Sequence, residues 1–130
     1  GAVAIRRKQY EMLKLKFEEM ENDNGQIIYK IRERAEGTGT RESAIRVKNE
    51  IFNILTQENK PITIDFSGVE VISSSFSDEL LAKLFLGLGL FQFNNLIRIK
   101  GLDLSQQRVL QRSVLQRIIE DLKNDGEQEL

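Results

Sequence analysis

The feature that most constrains this chain is an alternation between two hydrophobic periods. Gln26 to Arg34 sets Ile27, Tyr29 and Ile31 against Lys30, Arg32 and Arg34, the period of two expected of a half-exposed strand, with Ile28 the exception. Ile62-Thr-Ile-Asp-Phe66 alternates in the same way over a shorter run, as an interior strand would, and Leu96 to Lys100 reads as a third strand. Between and after these runs the period becomes helical. Thr40 is placed as the N-cap of a helix from Arg41 to Gln57, whose core face is Ala44, Val47, Ile51, Ile54 and Leu55 and which Asn59-Lys60-Pro61 stops. A helix from Phe76 to Leu86 is closed by Gly87 or Gly89, and another from Ser105 to Lys123 carries Leu110, Val114, Ile118 and Leu122 at four-residue steps. Strands alternating with helices at these spacings predict an α/β fold on a small mixed, mainly parallel sheet.

An earlier helix is predicted from Ile5 to Met20, with Met12, Leu13, Phe17 and Met20 at helical spacings. Asn22-Asp-Asn-Gly25 follows as the linker candidate, dividing residues 1–24 from a domain over 25–130. The chain starts at Gly1 rather than Met, so this first helix is expected to be the tail of a longer protein.

Composition removes whole classes of function. There is no cysteine, hence no disulfide, thiolate nucleophile or cysteine zinc site, and no sign of an oxidising compartment, which makes the cytoplasm the expected location. There is no histidine either, which excludes a Ser-His-Asp triad, a histidine base and most catalytic zinc sites. Lys plus Arg number 19 against 20 Asp plus Glu, without the basic excess of a nucleic-acid binder. Arg108, Arg112 and Arg117 on the last helix, followed by Glu120 and Asp121, read as a solvated face. Gly37-Thr-Gly39 and Gly87-Leu-Gly89 lack the rest of any phosphate-loop pattern. The longest uncharged run, Leu84 to Ile97, falls short of the ~20 apolar residues of a membrane span.

The segment Ile72-Ser-Ser-Ser-Phe-Ser-Asp-Glu-Leu-Leu81 lies between the second strand and its helix, at the carboxyl edge where α/β sheets carry their sites. Ser75 with Asp78 three residues later fits a capping box, leaving Ser73 and Ser74 as further loop hydroxyls. Beyond it Leu80, Leu81, Ala82, Leu84, Phe85, Leu86 and Leu88 surround the helix almost completely, with Lys83 the polar exception. Either another helix covers the far side, or Phe76, Leu80, Lys83 and Leu84 form a docking surface for a partner protein or a second copy in a homodimer. For catalysis the remaining possibility is a metal-assisted phosphoryl-transfer site built from Asp65, Asp78 and Glu79. The expectation is instead a non-enzymatic interaction module without metal or cofactor.

The run GTGTRESAIRVKNEIFNILTQENKPITIDFSGVEVISSSFSDELLAKLF resembles the STAS domain of anti-sigma factor antagonists and sulfate-transporter tails, most closely its prokaryotic STAS-like branch of unknown function. In the parent family a strand ending in an Asp-Leu-Ser-like step leads through an apolar pair to Asp-Ser-Ser-Gly at a helix start. Asp65-Phe-Ser-Gly-Val69 matches the strand end and Ser73-Ser74-Ser75-Phe76 falls on the motif, with Ser73 in place of its Asp and Phe76 in place of its Gly. The resemblance extends from about Gly25 to Lys123. It implies helices clustered on one side of the sheet and a regulatory, protein-binding role in signalling. By the same carry-over, Ser74 takes the place of the serine phosphorylated in the antagonists by a GHKL-type ATPase kinase. It also implies an alternative, in which the domain is the sensory or oligomerising half of a DNA-binding transcription regulator and does not itself touch nucleic acid.

Overall fold

The computed structural model describes residues 20–22 and 24–129, together with residues 4, 6–8 and 11. Of the expected first helix, Met12, Leu13 and Phe17 lie outside the described residues. Met20 is buried in the hydrophobic core. After it, the Asn22 Oδ1 accepts from the amides of Asn24 and Gln26, both at 3.0 Å. That turn, completed by Gly25 at φ +73°, lets Glu21 bridge antiparallel to Ile27.

Three strands, β1 (Ile27–Lys30), β2 (Ile62–Asp65) and β3 (Ile97–Lys100), form one parallel sheet in the order β1-β2-β3. In register, Ile27, Ile62 and Ile97 stand in one row, and Lys30, Asp65 and Lys100 in another. Because side chains alternate across the pleat, Ile27, Tyr29, Ile62, Ile64 and Ile97 point to one face, where all are buried. The opposite face carries Thr63, Arg98, Lys30 and Lys100. Two successive right-handed crossovers in the same direction along a sheet put their helices on the same face, so one face is apolar and covered and the other is polar.

The helices are α1 (Ile31–Arg34), α2 (Arg41–Glu58), α3 (residues 74–88), α4 (Leu90–Leu96) and α5 (Leu104–Glu129). The strand expected to run to Arg34 stops at Lys30, and one helical turn replaces its second half. Its neighbour β2 ends at Asp65, so beyond Lys30 no ladder remains, and the chain satisfies itself through Ala35 N–H to the Ile31 carbonyl at 2.9 Å.

α2 forms as its sequence requires. Thr40 accepts from the Ser43 amide at 3.2 Å, and Asn59, left-handed at φ 49°, closes the helix onto the Leu55 carbonyl. Ala44, Val47, Ile51, Ile54 and Leu55 are all buried. α3 is continuous but changes pitch: Ser74–Ser77 is α-helical, Asp78–Ala82 is a π turn, and Lys83–Leu88 is α-helical again up to Gly89 at φ +82°. α4 occupies a stretch with no predicted element and takes Leu96 from the third strand; its Phe93 meets Phe85 of α3 edge-to-face at 5.3 Å.

α5 starts one residue before the expected Ser105, on a reciprocal box in which the Gln106 amide donates to Asp103 Oδ1 at 2.7 Å and the Asp103 amide to Gln106 Oε1 at 3.1 Å. α3 lies between α2 and α5. That placement answers the question posed by its all-round apolar surface: Phe76, Leu80 and Leu84 are fully buried, and the docking surface they were expected to offer does not exist. Only Lys83 of that set reaches solvent, and it is ion-paired to Glu79.

Candidate functional site

The loop after β2 is drawn tight before it reaches the serines. Asp65 Oδ1 accepts from the Ser67 amide at 2.9 Å, and Gly68 turns at φ +81°. The end of β3 closes over this turn: a Cβ on Gly101 would lie 2.4 Å from the Ser67 nitrogen, and its φ is +83°. The loop is then tied to the segment before α2 by Ser73 N–H to the Thr38 carbonyl at 3.0 Å and by the Thr38 hydroxyl to the Val71 carbonyl. On the other side Gln106 of α5 donates to the carbonyls of Val69 and Glu70, at 2.7 and 3.0 Å.

Ser73, not Ser75, is the helix cap: its hydroxyl oxygen accepts from the Phe76 amide at 3.0 Å, and the first intrahelical bond runs from Ser77 N–H to the Ser73 carbonyl. Capping at Ser73 puts Phe76 at the third helical position, from which it enters the core. A cap at Ser75 would make Phe76 the first helical residue. Asp78 therefore closes no capping box. Ser74 and Ser75 are left exposed in the first turn, with amides that precede the first helical hydrogen bond.

The two hydroxyls line a polar cleft of about 190 Å³ with Arg41 of α2, Asp78 of α3, and Ser113, Gln116, Arg117 and Glu120 of α5. Asp78 spans it. Its Oδ2 accepts from Arg41 Nη1 at 2.8 Å, and Arg117 binds both its oxygens, with Nε to Oδ1 at 2.9 Å. The Arg117 hydrogen bonds, helped by Arg41 and opposed by burial, hold the Asp78 carboxyl at a pKa of about 2. Arg117 is thus not part of the solvated face that its spacing predicted.

Glu79, next in sequence, is almost completely buried. It contacts Lys48 of α2 at 3.3 Å, Arg41 at 3.4 Å, and Lys83 of its own helix. Burial works against its charge, but the bonds from Lys83 and Lys48 outweigh it and keep its pKa below the ordinary value. Asp65 behaves alike: burial raises its pKa, while the Ser67 bonds and the nearby Lys100 and Lys30 bring it down. The three acids expected to share a metal do not converge. Asp78 and Glu79 are held by cations from three helices, Asp65 sits at the sheet end facing Lys100 at 3.8 Å, and no metal-holding group of acids occurs among the described residues. The cleft itself is lined by two cations, Arg41 and Arg117, and two carboxylates, Asp78 and Glu120, the last 3.8 Å from Arg117, so its charges balance beside the two exposed hydroxyls, while Lys48 and Lys83 are paired with the buried Glu79.

A parallel sheet covered on one face, with a serine-bearing helix start at its carboxyl edge, defines the class: a small α/β domain of the STAS type. A family model places it further. The model described as "STAS-like domain of unknown function (DUF4325)" matches residues 43–107, and the chain belongs to that family. The matched region runs from the first turn of α2 through β2, the serine loop, α3, α4 and β3 into the capping box of α5. Comparison with curated proteins and with solved structures gave no match. Among the described residues no helix is long and apolar enough to cross a membrane.

Proposed function

We propose that this chain is a non-enzymatic regulatory domain whose protein partner reads the mouth of the serine cleft and is released when Ser74 is phosphorylated. The observation that carries this reading is the position of Ser74: exposed, in the first turn of a long helix, in a cleft rimmed by two arginines. A phosphoryl group there carries about −1.5 to −2 charges and three acceptor oxygens, which free first-turn amides and guanidinium groups stabilise. The fold therefore tolerates the modification. The partner does not: the charges lining the unmodified cleft balance, and the phosphate would add negative charge at its mouth, repelling an acidic partner surface and adding a desolvation cost. With Phe76, Leu80 and Leu84 buried, the surface offered is Ser74, Ser75 and the exposed Val71 that precedes them. Family resemblance supplies the kinase class, a GHKL-type ATPase, and with it a cytoplasmic setting where ATP is available.

Ser74→Ala and Ser74→Glu proteins used as baits in native extract test the reading. The expected result is recovery of a GHKL-type ATPase or a transcription regulator with Ser74→Ala and its loss with Ser74→Glu, while both variants melt like the parent. Equal recovery by both would retire the switch. A second reading, the oligomerising half of a DNA-binding regulator, is favoured by one observation, the exposed apolar residues Leu115, Ile119 and Leu122 along α5.

A further inference from the structure

The two outer edges of the sheet are treated differently. β1 is met on its outer side by the antiparallel bridge from Glu21, whereas no strand among the described residues pairs with the outer side of β3. The Lys100 carbonyl accepts from Phe66 N–H at 2.9 Å, on the side of β2. Successive residues of a strand turn their amide groups to opposite edges, so the N–H and C=O of Ile99 point outward, without a backbone partner among the described residues.

Side-chain burial shows the same gap. Tyr29, Ile64 and Ile99 occupy one row of the apolar face, yet the first two are fully buried and Ile99 is 38% exposed. Beside it a groove of about 290 Å³ lies between β3 and α5, lined by Ile99, Leu102 and Leu110 together with Gln107 and Gln111. One more strand beside β3 would cover Ile99 and place its own inward side chains along this groove.

The charges select which strand fits. Arg98 and Lys100, both exposed, stand on the opposite face at the same edge; Lys100 faces Asp65 at 3.8 Å, and Arg98 has no acidic partner among the described residues. If β3 of a second copy paired antiparallel about a two-fold axis, like faces would stand opposite each other, and Arg98 and Lys100 would meet the same cations. Residues 1–19 of the same chain precede β1 at the far edge and carry five cations against three acids. A strand with acids at alternate positions satisfies both faces, with carboxylates opposite Arg98 and Lys100 and apolar side chains between them over Ile99 and Leu110.

We propose that the outer edge of β3 takes an extended, alternately acidic and apolar segment of a partner protein as a fourth strand. None of the residues lining the groove lines the serine cleft, so the proposal stands independently of the switch at Ser74. With only the four residues of β3 to pair against, the contact is small, and binding is expected to be weak and to weaken further with added salt.

NMR on the nitrogen-labelled full chain tests this, with a blocked peptide of alternating Glu and Val as the probe and a Lys-Val peptide of the same length as its control. The acidic peptide should shift the amides of residues 97–102 and, at saturation, slow hydrogen exchange at Ile99 by at least about tenfold, while the basic peptide should do neither. Arg98→Glu, made at an exposed side chain and checked by melting, should weaken the acidic peptide about fivefold. No binding of the acidic peptide, equal binding of the two peptides, binding that leaves Ile99 exchange unchanged, or binding indifferent to Arg98→Glu would each overturn the proposal.

Discussion

Replacing Asp78 by Asn isolates the electrostatic centre of the cleft, because it keeps the shape and removes the charge that Arg41 and Arg117 share. The Asp78 carboxyl titrates at about 2 instead of its ordinary 3.8. At roughly 1.4 kcal/mol per pKa unit, and discounted for solvent screening at a rim where the Arg41 side chain is 43% exposed, the charge contributes about 2 kcal/mol at neutral pH. For a domain of this size that is a fall in melting temperature on the order of 8 °C. A group whose folded pKa is depressed stabilises the fold above its unfolded value and loses that contribution as pH falls through the folded one. The gap between parent and Asp78→Asn should therefore be full at pH 7 and close between about pH 4 and pH 2, as the parent protonates. Urea unfolding at a series of pH values measures it, and a cycle with Arg117→Gln should return a coupling energy of about 1 kcal/mol or more. Equal stability at pH 7, or a gap unchanged at pH 2, would refute the reasoning.

Three further outcomes follow from the same contacts. Ser73→Ala should cost about 1 kcal/mol in unfolding experiments through the lost cap, while Ser75→Ala should cost a few tenths at most. Gly101→Ala should destabilise by more than about 2 kcal/mol, since a left-handed φ and a backbone nitrogen 2.4 Å from the added carbon act together, and a folded variant of parental stability would contradict the packing of β3 over the serine loop. In protein carrying phosphoserine at position 74, the second phosphate pKa read by phosphorus NMR should lie below its usual value near 6 and return toward it in Arg117→Gln, whereas an unshifted value in both would remove the arginines from the site.

What was legible in the sequence was local. α2 could be read nearly whole because Thr40, the apolar positions from Ala44 to Leu55, and Asn59-Lys60-Pro61 each act within one turn of themselves. β1 could not be bounded, since its end is decided by where β2, over thirty residues later, runs out of ladder. Among three consecutive serines nothing local selects the cap; the choice falls to Ser73 because only that frame sends Phe76 inward, and the core is a property of the whole fold. The Asp103…Gln106 box stands in the sequence as a helix start, one residue ahead of the one that Ser105 suggests. The arginines of the cleft carried no signal, lying 37 and 39 residues from Asp78 on two other helices.

That distance in sequence bears on what a partner can recognise. The stretch Ile72–Leu81 supplies both hydroxyls, but cut out as a peptide it lacks Arg41, Lys48 and Arg117, and Asp78 and Glu79 would then make it an acidic segment. In the folded chain those two acids are matched by cations from three helices, Arg41 and Lys48 of α2, Lys83 of α3 and Arg117 of α5. Glu79 matters here without touching the surface: buried between Lys48 and Lys83, it ties α2 to α3 and so holds Arg41 where Ser74 is exposed. A partner that binds the cleft is consequently reading the relative placement of three helices. It should bind the intact domain, should not bind the isolated segment, and should lose affinity with Arg41→Gln or Arg117→Gln even though neither residue belongs to the serine motif.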